Sequence, residues 1–145
     1  MNDLSAAYLW GQLESSEKIL LDRLSSWTQY FNGLKSLEDD GLIKLPIVPD
    51  GSAHNGHMFY IKVKDLNERT QVIKYLEEKN INIVFHYVPL HSSQAGLKFG
   101  RFQGQDLYTT GESECLVRLP MYYGLQRESI NIIIEEITKF FRGQA

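Results

Sequence analysis

The sequence holds one cysteine, Cys115, only four prolines, and no uninterrupted apolar run longer than a few residues. A lone cysteine excludes an intramolecular disulfide framework and makes a reducing, cytoplasmic location the expectation. Nothing approaches the ~20 apolar residues that span a bilayer. Met1-Asn2-Asp3-Leu4-Ser5 lacks the positive region and apolar core of a secretory signal. Basic charge is not in excess either, with 15 Lys and Arg against 18 Asp and Glu and a formal charge of −3. Without a basic block the chain has no electrostatic grip on nucleic acid or anionic lipid, because both need clustered cations to neutralise phosphates. Repeats and low-complexity stretches are missing. So are a Gly-x-Ser-x-Gly elbow, a phosphate-binding glycine loop followed by Lys-Ser/Thr, and a His-Glu-x-x-His pair. What remains, 43% apolar and 23% charged over 145 residues, is the composition of one globular domain.

The first third has helical periodicity. Leu4, Ala7, Tyr8, Leu13, Leu20, Leu24, Trp27, Phe31 and Leu34 recur mostly three and four apart, with Asp3 as the expected cap and Gly33 as the expected stop. About 30 residues is long for a globular helix, so a break is expected at Gly11 or at Ser15-Ser16. Asp39-Asp40-Gly41 reads as a turn, and Leu42 to Pro46 as a short edge strand. Met58 to Lys64 predicts a strand with Phe59, Ile61 and Val63 on one face. Asn67 is the expected cap of a helix to Lys79 buried through Val72, Ile73 and Leu76, and Ile81 to Val88 is a second strand ended by Pro89. From His91 to Gly111 periodicity is lost, and a loop of that length is usually functional or covered by a partner. Glu112 to Leu116 reads as a helical turn, Val117 to Pro120 as a strand, and Arg127 to Phe141 as an amphipathic helix. The order predicts an α+β, two-layer domain whose small, mostly antiparallel sheet is covered by helices; one parallel pair is left open.

Four histidines invite a metal reading, but His54/His57 and His86/His91 are three and five apart. In extended chain those spacings face opposite sides, so no metal site is expected. His54 reads as a satisfied loop histidine. Cys115 lies beside Glu112 and Glu114, which raise a thiol's pKa, so it reads as a small buried residue rather than a nucleophile. The densest group of functional residue types is His86-Tyr87-Val88-Pro89-Leu90-His91, at a strand end before a glycine-containing loop. Tyr and His offer flat apolar faces with hydrogen-bonding edges, which suits a sugar. A core aromatic ladder with solvent-facing histidines fits the same composition.

Four segments carry a resemblance to a known family: Met1-Asn2-Asp3-Leu4-Ser5-Ala6-Ala7-Tyr8-Leu9-Trp10-Gly11-Gln12-Leu13-Glu14, His57-Met58-Phe59-Tyr60-Ile61, His86-Tyr87-Val88-Pro89-Leu90-His91, and Arg118-Leu119-Pro120-Met121-Tyr122. In order and spacing they resemble the C-terminal part of the DegT/DnrJ/EryC1/StrS sugar aminotransferases, over nearly the whole chain.

The resemblance implies the small domain of a fold-type-I aminotransferase, with residues 1–34 as a connecting helix region and 42–145 as the α+β core. Such enzymes use pyridoxal phosphate, held by a lysine, to move an amino group from glutamate to the 4-keto carbon of a nucleotide-linked deoxyhexose. They are homodimers that feed cell-surface polysaccharide synthesis, including enterobacterial common antigen and lipopolysaccharide. His86, Tyr87, His91 and His57 are implied as substrate-lining groups. The lysine motif has no match among Lys18, Lys35, Lys44, Lys62, Lys64, Lys74, Lys79, Lys98 and Lys139. No catalytic residue is therefore expected in this chain: the large cofactor-binding domain is absent, and the chain alone is expected to be inactive and to bind no cofactor. The alternative is a non-catalytic ligand-binding or oligomerisation module. Tyr8, Trp10, Trp27 and the aromatics between Gly96 and Gly111 are expected to be exposed where a larger partner packs.

Overall fold

The computed structural model describes residues 2–143; Met1, on which the first motif opens, lies outside them, as do the last two residues of the expected 42–145 core. Helix α1 spans Asp3–Glu14 and α2 spans Ser16–Asp39, so the expected break falls at Ser15. The α1 cap is Asn2 rather than Asp3: Ser5 N donates to Asn2 Oδ1 at 2.8 Å, and Asp3 sits in the first turn against the positive end of the helix dipole. Gly33 does not stop α2. It is a packing site instead, where a Cβ would meet Ile134 Cδ1 at 2.5 Å. The helix ends at the expected turn, where Gly41 takes φ 72° and Leu42 N donates to Leu37 O at 2.9 Å, a Schellman closure.

Strand β1 (Phe59–Lys62) pairs antiparallel with β3 (Leu116–Leu119), and β3 pairs antiparallel with β2 (Val84–Phe85). The order is β1-β3-β2. Insertion of β3 between the other two strands removes any parallel pair. Three predicted strands are shorter than expected, and Met58 to Lys64 is a strand only over Phe59–Lys62. Leu42 to Pro46 contributes one antiparallel bridge, Lys44 to Lys62. Of Ile81 to Val88 only Val84–Phe85 is paired, and Ile81 N donates instead to Leu76 O in the closing turn of the preceding helix. That helix, α3 (Leu66–Glu78), is capped by Asp65 and not by Asn67: Glu68 N donates to Asp65 Oδ1 at 2.9 Å while Lys64 N donates to Glu68 Oε2 at 2.7 Å.

The segment after Pro89 is more ordered than its lost periodicity predicts. A 3₁₀ turn (Leu90–Ser92) leads into α4 (Gln94–Phe99), and α5 (Thr109–Cys115) leads into β3. Short helices escape a periodicity argument because two turns cannot establish a face. Gly96 makes the sharp turn feasible, since a Cβ there would lie 1.6 Å from the Leu90 carbonyl oxygen.

Helix α6 (Arg127–Phe141) closes the chain over the predicted residues. One face of the sheet meets α2, α3 and α6 around Tyr30, Leu34, Phe59, Ile61, Val117 and Ile130, all fully buried. Trp27 joins this core, contrary to expectation, because its helical phase stacks it 5.1 Å from Phe31 and sets it edge-on 5.4 Å from Phe59. The domain is α+β, with six α-helices and a three-stranded antiparallel sheet among the described residues. No described helix is long and apolar enough to cross a membrane.

Candidate functional site

Backbone alternation assigns the two faces of the sheet. Val117 and Leu119 are buried under the helices, so Arg118 between them lies on the outer face, in register with Tyr60 and Val84. His86 follows β2 directly and continues the Val84 row. Two buried nitrogens without a hydrogen-bond partner, His86 Nδ1 and Arg118 Nε, thus belong to one region of the sheet. A third, Arg69 Nε, belongs to a side chain whose guanidinium lies 5.1 Å from the Phe85 ring centre. Buried donors and acceptors in folded proteins are nearly always paired. His86 Nδ1 and Arg118 Nε share the outer face, whereas Arg69 Nε lies over Phe85, which is in register with the buried Val117.

Of the four sequence-predicted residues, His86 and Tyr87 are in contact here, and His91 is joined to the cleft beside Tyr87 only through Thr110. The Tyr87 ring stands 4.5 Å from that of His86 and is 69% exposed, while Ser113 Oγ donates to the Tyr87 carbonyl. Arg69 Nη1 donates to Ser113 O at 2.8 Å, tying α3 to α5 under the same loop. His91 Nε2 lies 2.8 Å from Asp106 Oδ2, and its ring packs 4.5 Å from Phe102. Asp106 also accepts from Thr110 Oγ1 and from Thr110 N at 3.2 Å. These bonds, Thr110 first and His91 after it, hold the Asp106 carboxyl below its usual range. A cleft of about 130 Å³ opens beside Tyr87, lined by Arg69, Phe85, Val88, Thr110 and Ser113. The arrangement offers aromatic faces, hydroxyls and imidazole edges, a set suited to a polyhydroxylated ligand.

His57 is elsewhere. It precedes β1 beyond the Leu119 end of the sheet, whereas His86 follows β2 at the Leu116 end, a displacement of roughly 17 Å along the strands. Its carbonyl accepts from Arg23, and it lines a separate hollow of about 200 Å³ with Trp27 and His54. His54 is satisfied as expected, with Gly56 N donating to its Nδ1 at 3.3 Å. Cys115 is half-buried, and burial, then Glu112, Asp65 and Glu114, push its thiol pKa up. No cluster of three metal-ligating residues occurs among the described residues. Larger hollows, about 650 Å³ around Gln29 and Asn131 and about 570 Å³ around Asn80 and Tyr122, contain none of the predicted site residues and none of the orphaned nitrogens.

Asp106, Thr110, Ser113 and Arg69 were not predicted as site residues. An Asp shortly before a helix whose first turn holds threonines is a helix-start signal, and it would have drawn attention to Asp106.

At the cleft beside Tyr87 no lysine stands ready to hold pyridoxal phosphate, and Lys79 lines the separate hollow around Asn80 and Tyr122. Lys35 and Lys139 are surface groups paired with carboxylates, Lys62 pairs with Glu112, and none lines the cleft beside Tyr87. The residues lining that cleft do not fit covalent attachment of that cofactor.

The fold is a small antiparallel sheet backed by helices on one face. Solved structures share it. An aminotransferase, TlmJ, from Streptoalloteichus hindustanus superposes with a TM-score of 0.86 at 19% identity, covering 99% of this chain and 37% of that one. PseC from Helicobacter pylori, an aminotransferase of pseudoaminic acid biosynthesis, gives 0.78 at 19% identity over 92% and 36%. NtdA from Bacillus subtilis, solved with bound cofactor PMP, gives 0.72 at 22% over 86% and 28%. The sequence profile of the DegT/DnrJ/EryC1/StrS aminotransferase family matches residues 1–138, and the chain belongs to that family. It is 26% identical over 99% of its length to the dTDP-3-amino-3,4,6-trideoxy-alpha-D-glucose transaminase of Micromonospora megalomicea subsp. nigra. To the dTDP-3-amino-3,6-dideoxy-alpha-D-galactopyranose transaminase of Aneurinibacillus thermoaerophilus it is 33% identical over 68% of its length. The matched region amounts to 38% of the first relative and 26% of the second.

Proposed function

We propose that this chain is the small domain of a cytoplasmic, pyridoxal-phosphate-dependent aminotransferase. The enzyme transfers an amino group from glutamate to a nucleotide-linked keto-deoxyhexose for cell-surface polysaccharide, and the chain's part is to bind and orient the sugar. The observation that carries this is the edge at His86, Tyr87 and His91: an exposed Tyr87 beside two half-buried imidazoles, one of them with an unpartnered nitrogen, in a family whose relatives are named for dTDP-sugar substrates. The lysine and the cofactor belong to a separate large domain of the complete enzyme, which works as a homodimer. A free-standing binding module is not favoured, because the aminotransferase profile runs through residues 1–138.

The wording Phe85-His86-Tyr87 and Tyr108-Thr109-Thr110 favours the dTDP-4-amino-4,6-dideoxygalactose transaminase branch, with amination at carbon 4. Both curated relatives are named for amination at carbon 3. Grafting this chain in place of the small domain of a lysine-bearing family enzyme separates the possibilities. The chimera should accept an amino group from glutamate and deliver it to a dTDP-4-keto-6-deoxyhexose. Delivery only to a 3-keto sugar overturns the carbon-4 assignment, and a folded chimera that completes the glutamate half-reaction but aminates neither sugar overturns the sugar role. In the active chimera Tyr87→Phe and His91→Ala should raise the sugar KM and leave the glutamate half-reaction unchanged. Equal loss in both halves excludes a sugar-side position for these two residues.

A further inference from the structure

The bonds around His91 fix more than its position. Three donors converge on one oxygen, Asp106 Oδ2: His91 Nε2 at 2.8 Å, the Thr110 hydroxyl, and Thr110 N at 3.2 Å. An ionised carboxylate only accepts, so the His91 nitrogen facing it carries the proton. Thr110 Oγ1 lies 3.4 Å from the same nitrogen. Its own proton is directed to Asp106, so it turns a lone pair, not a proton, toward His91. Both neighbours therefore demand Nε2–H, and a neutral His91 has Nδ1 bare. That nitrogen has no hydrogen bond among the described residues and is not one of the buried orphans, so solvent or a ligand reaches it. Packing of the ring against Phe102 at 4.5 Å, together with a side chain only 20% exposed, limits its rotation.

We propose that Asp106 and Thr110 are positioning residues that lock His91 as its Nε2–H tautomer and so present Nδ1 as an acceptor for a hydroxyl group. Taking that hydroxyl to be a hexose hydroxyl of the substrate rests on the sugar-side reading above; the tautomer lock does not. In the other tautomer Nδ1–H would donate, and a hydroxyl at that position would have to accept instead of donate. The lock therefore decides which polarity of ligand group the site accepts.

The test uses the full 145-residue chain, ¹⁵N-labelled, with imidazole spectra at pH 8, where an ordinary histidine is neutral. His91 should show a single tautomer with the proton on Nε2; a proton on Nδ1 overturns the lock. Asp106→Ala should release His91 into a mixture of tautomers. Asp106→Asn should restore the wild-type spectrum, because the three convergent donors draw its amide oxygen into the Oδ2 position. A dispersed amide spectrum checks folding of both variants, and a single Nε2–H tautomer in folded Asp106→Ala also overturns the lock. Adding dTDP-glucose should shift the Nδ1 resonance of the wild-type chain, with affinity about tenfold weaker in Asp106→Ala and regained in Asp106→Asn. Binding that leaves Nδ1 unmoved overturns the acceptor role. Absence of binding in the wild type, with the tautomer as stated, overturns the sugar-side reading and not the lock.

Discussion

The helix-covered face of the sheet and its β2 edge use the same amino-acid types for opposite ends. On the covered side Tyr30 and Phe59 pack 5.2 Å apart with no exposure, and the Tyr30 hydroxyl donates to Pro120 O at 3.1 Å, so even the polar atom is matched internally. Burial pushes the Tyr30 phenol pKa well above its usual value. At the β2 edge Tyr87 is exposed, and His86 Nδ1 and Arg69 Nε have no partner. Polar satisfaction separates the two regions more sharply than hydrophobicity does. Around Tyr30 the chain supplies the hydrogen-bond partner itself, whereas at the β2 edge it leaves these two nitrogens without one. Helix α1 extends the contrast: it buries none of its residues, although Leu4, Tyr8 and Trp10 are 82%, 73% and 67% exposed. A helix so apolar and so uncovered is built to be packed against something further.

The comparison breaks most visibly at Phe59. Phe59→Ala should destabilise the chain by about 3–5 kcal/mol in urea denaturation with an unchanged slope, because it empties the centre of the sealed half. A loss below 1 kcal/mol would mean that this core is not the stabilising one. Gly96→Ala should have a smaller global effect and a large local one. Its Cβ cannot coexist with the Leu90 carbonyl, so α4 must part from the 3₁₀ turn. Hydrogen exchange should then accelerate over residues 90–99 while α2 and α6 keep their protection.

Acid comes next. Glu38 is held below its usual range by Lys35 and then by Leu45 N, which donates to Glu38 Oε1 at 2.9 Å; Lys139 and then Tyr75 do the same for Glu136. A carboxylate whose folded pKa is depressed adds stability that is fully present above its unfolded value, here 4.5. That stability is lost as pH falls through the folded value. Tm should be insensitive to these two groups from pH 6 to 8 and should fall below about pH 4. In Glu38→Gln the acid-side fall should be shallower; an unchanged acid limb would remove Glu38 from the account. The smallest effect is expected at α1, where Trp10→Ser should change stability by less than about 0.5 kcal/mol. Iodide should quench Trp10 fluorescence and spare Trp27, and quenching of both would show that the sealed half is open.

Much of this was legible along the chain. Arg127–Phe141 keeps a helical apolar stripe through about four turns, and Phe59, Ile61 and Val63 alternate cleanly, so periodicity alone places both elements. The cluster from His86 to His91 was visible as a concentration of residue types at a strand end. Its anchors were not, because Asp106, Thr110 and Ser113 lie 15 to 26 residues away from the groups they bind. His57 shares a motif with the family but not a location with the others, since the register of β1 on β3 carries it to the opposite end of the sheet. Gly33 and Trp27 show the limit of local rules. A glycine that propensity marks as a stop is a contact point for Ile134, and an aromatic expected at the surface is in the core.

The sequence by itself determined the helices long enough to show a period, the alternation of the buried strands, and the family, whose motifs survive as short contiguous words. Only the tertiary structure decided which polar atoms are matched and which are left open, because a hydrogen bond joins groups by proximity and not by order along the chain. The proton on His91 is the clearest case. Its place is fixed by a carboxylate 15 residues downstream and a hydroxyl 19 residues downstream, and no local pattern could have supplied it.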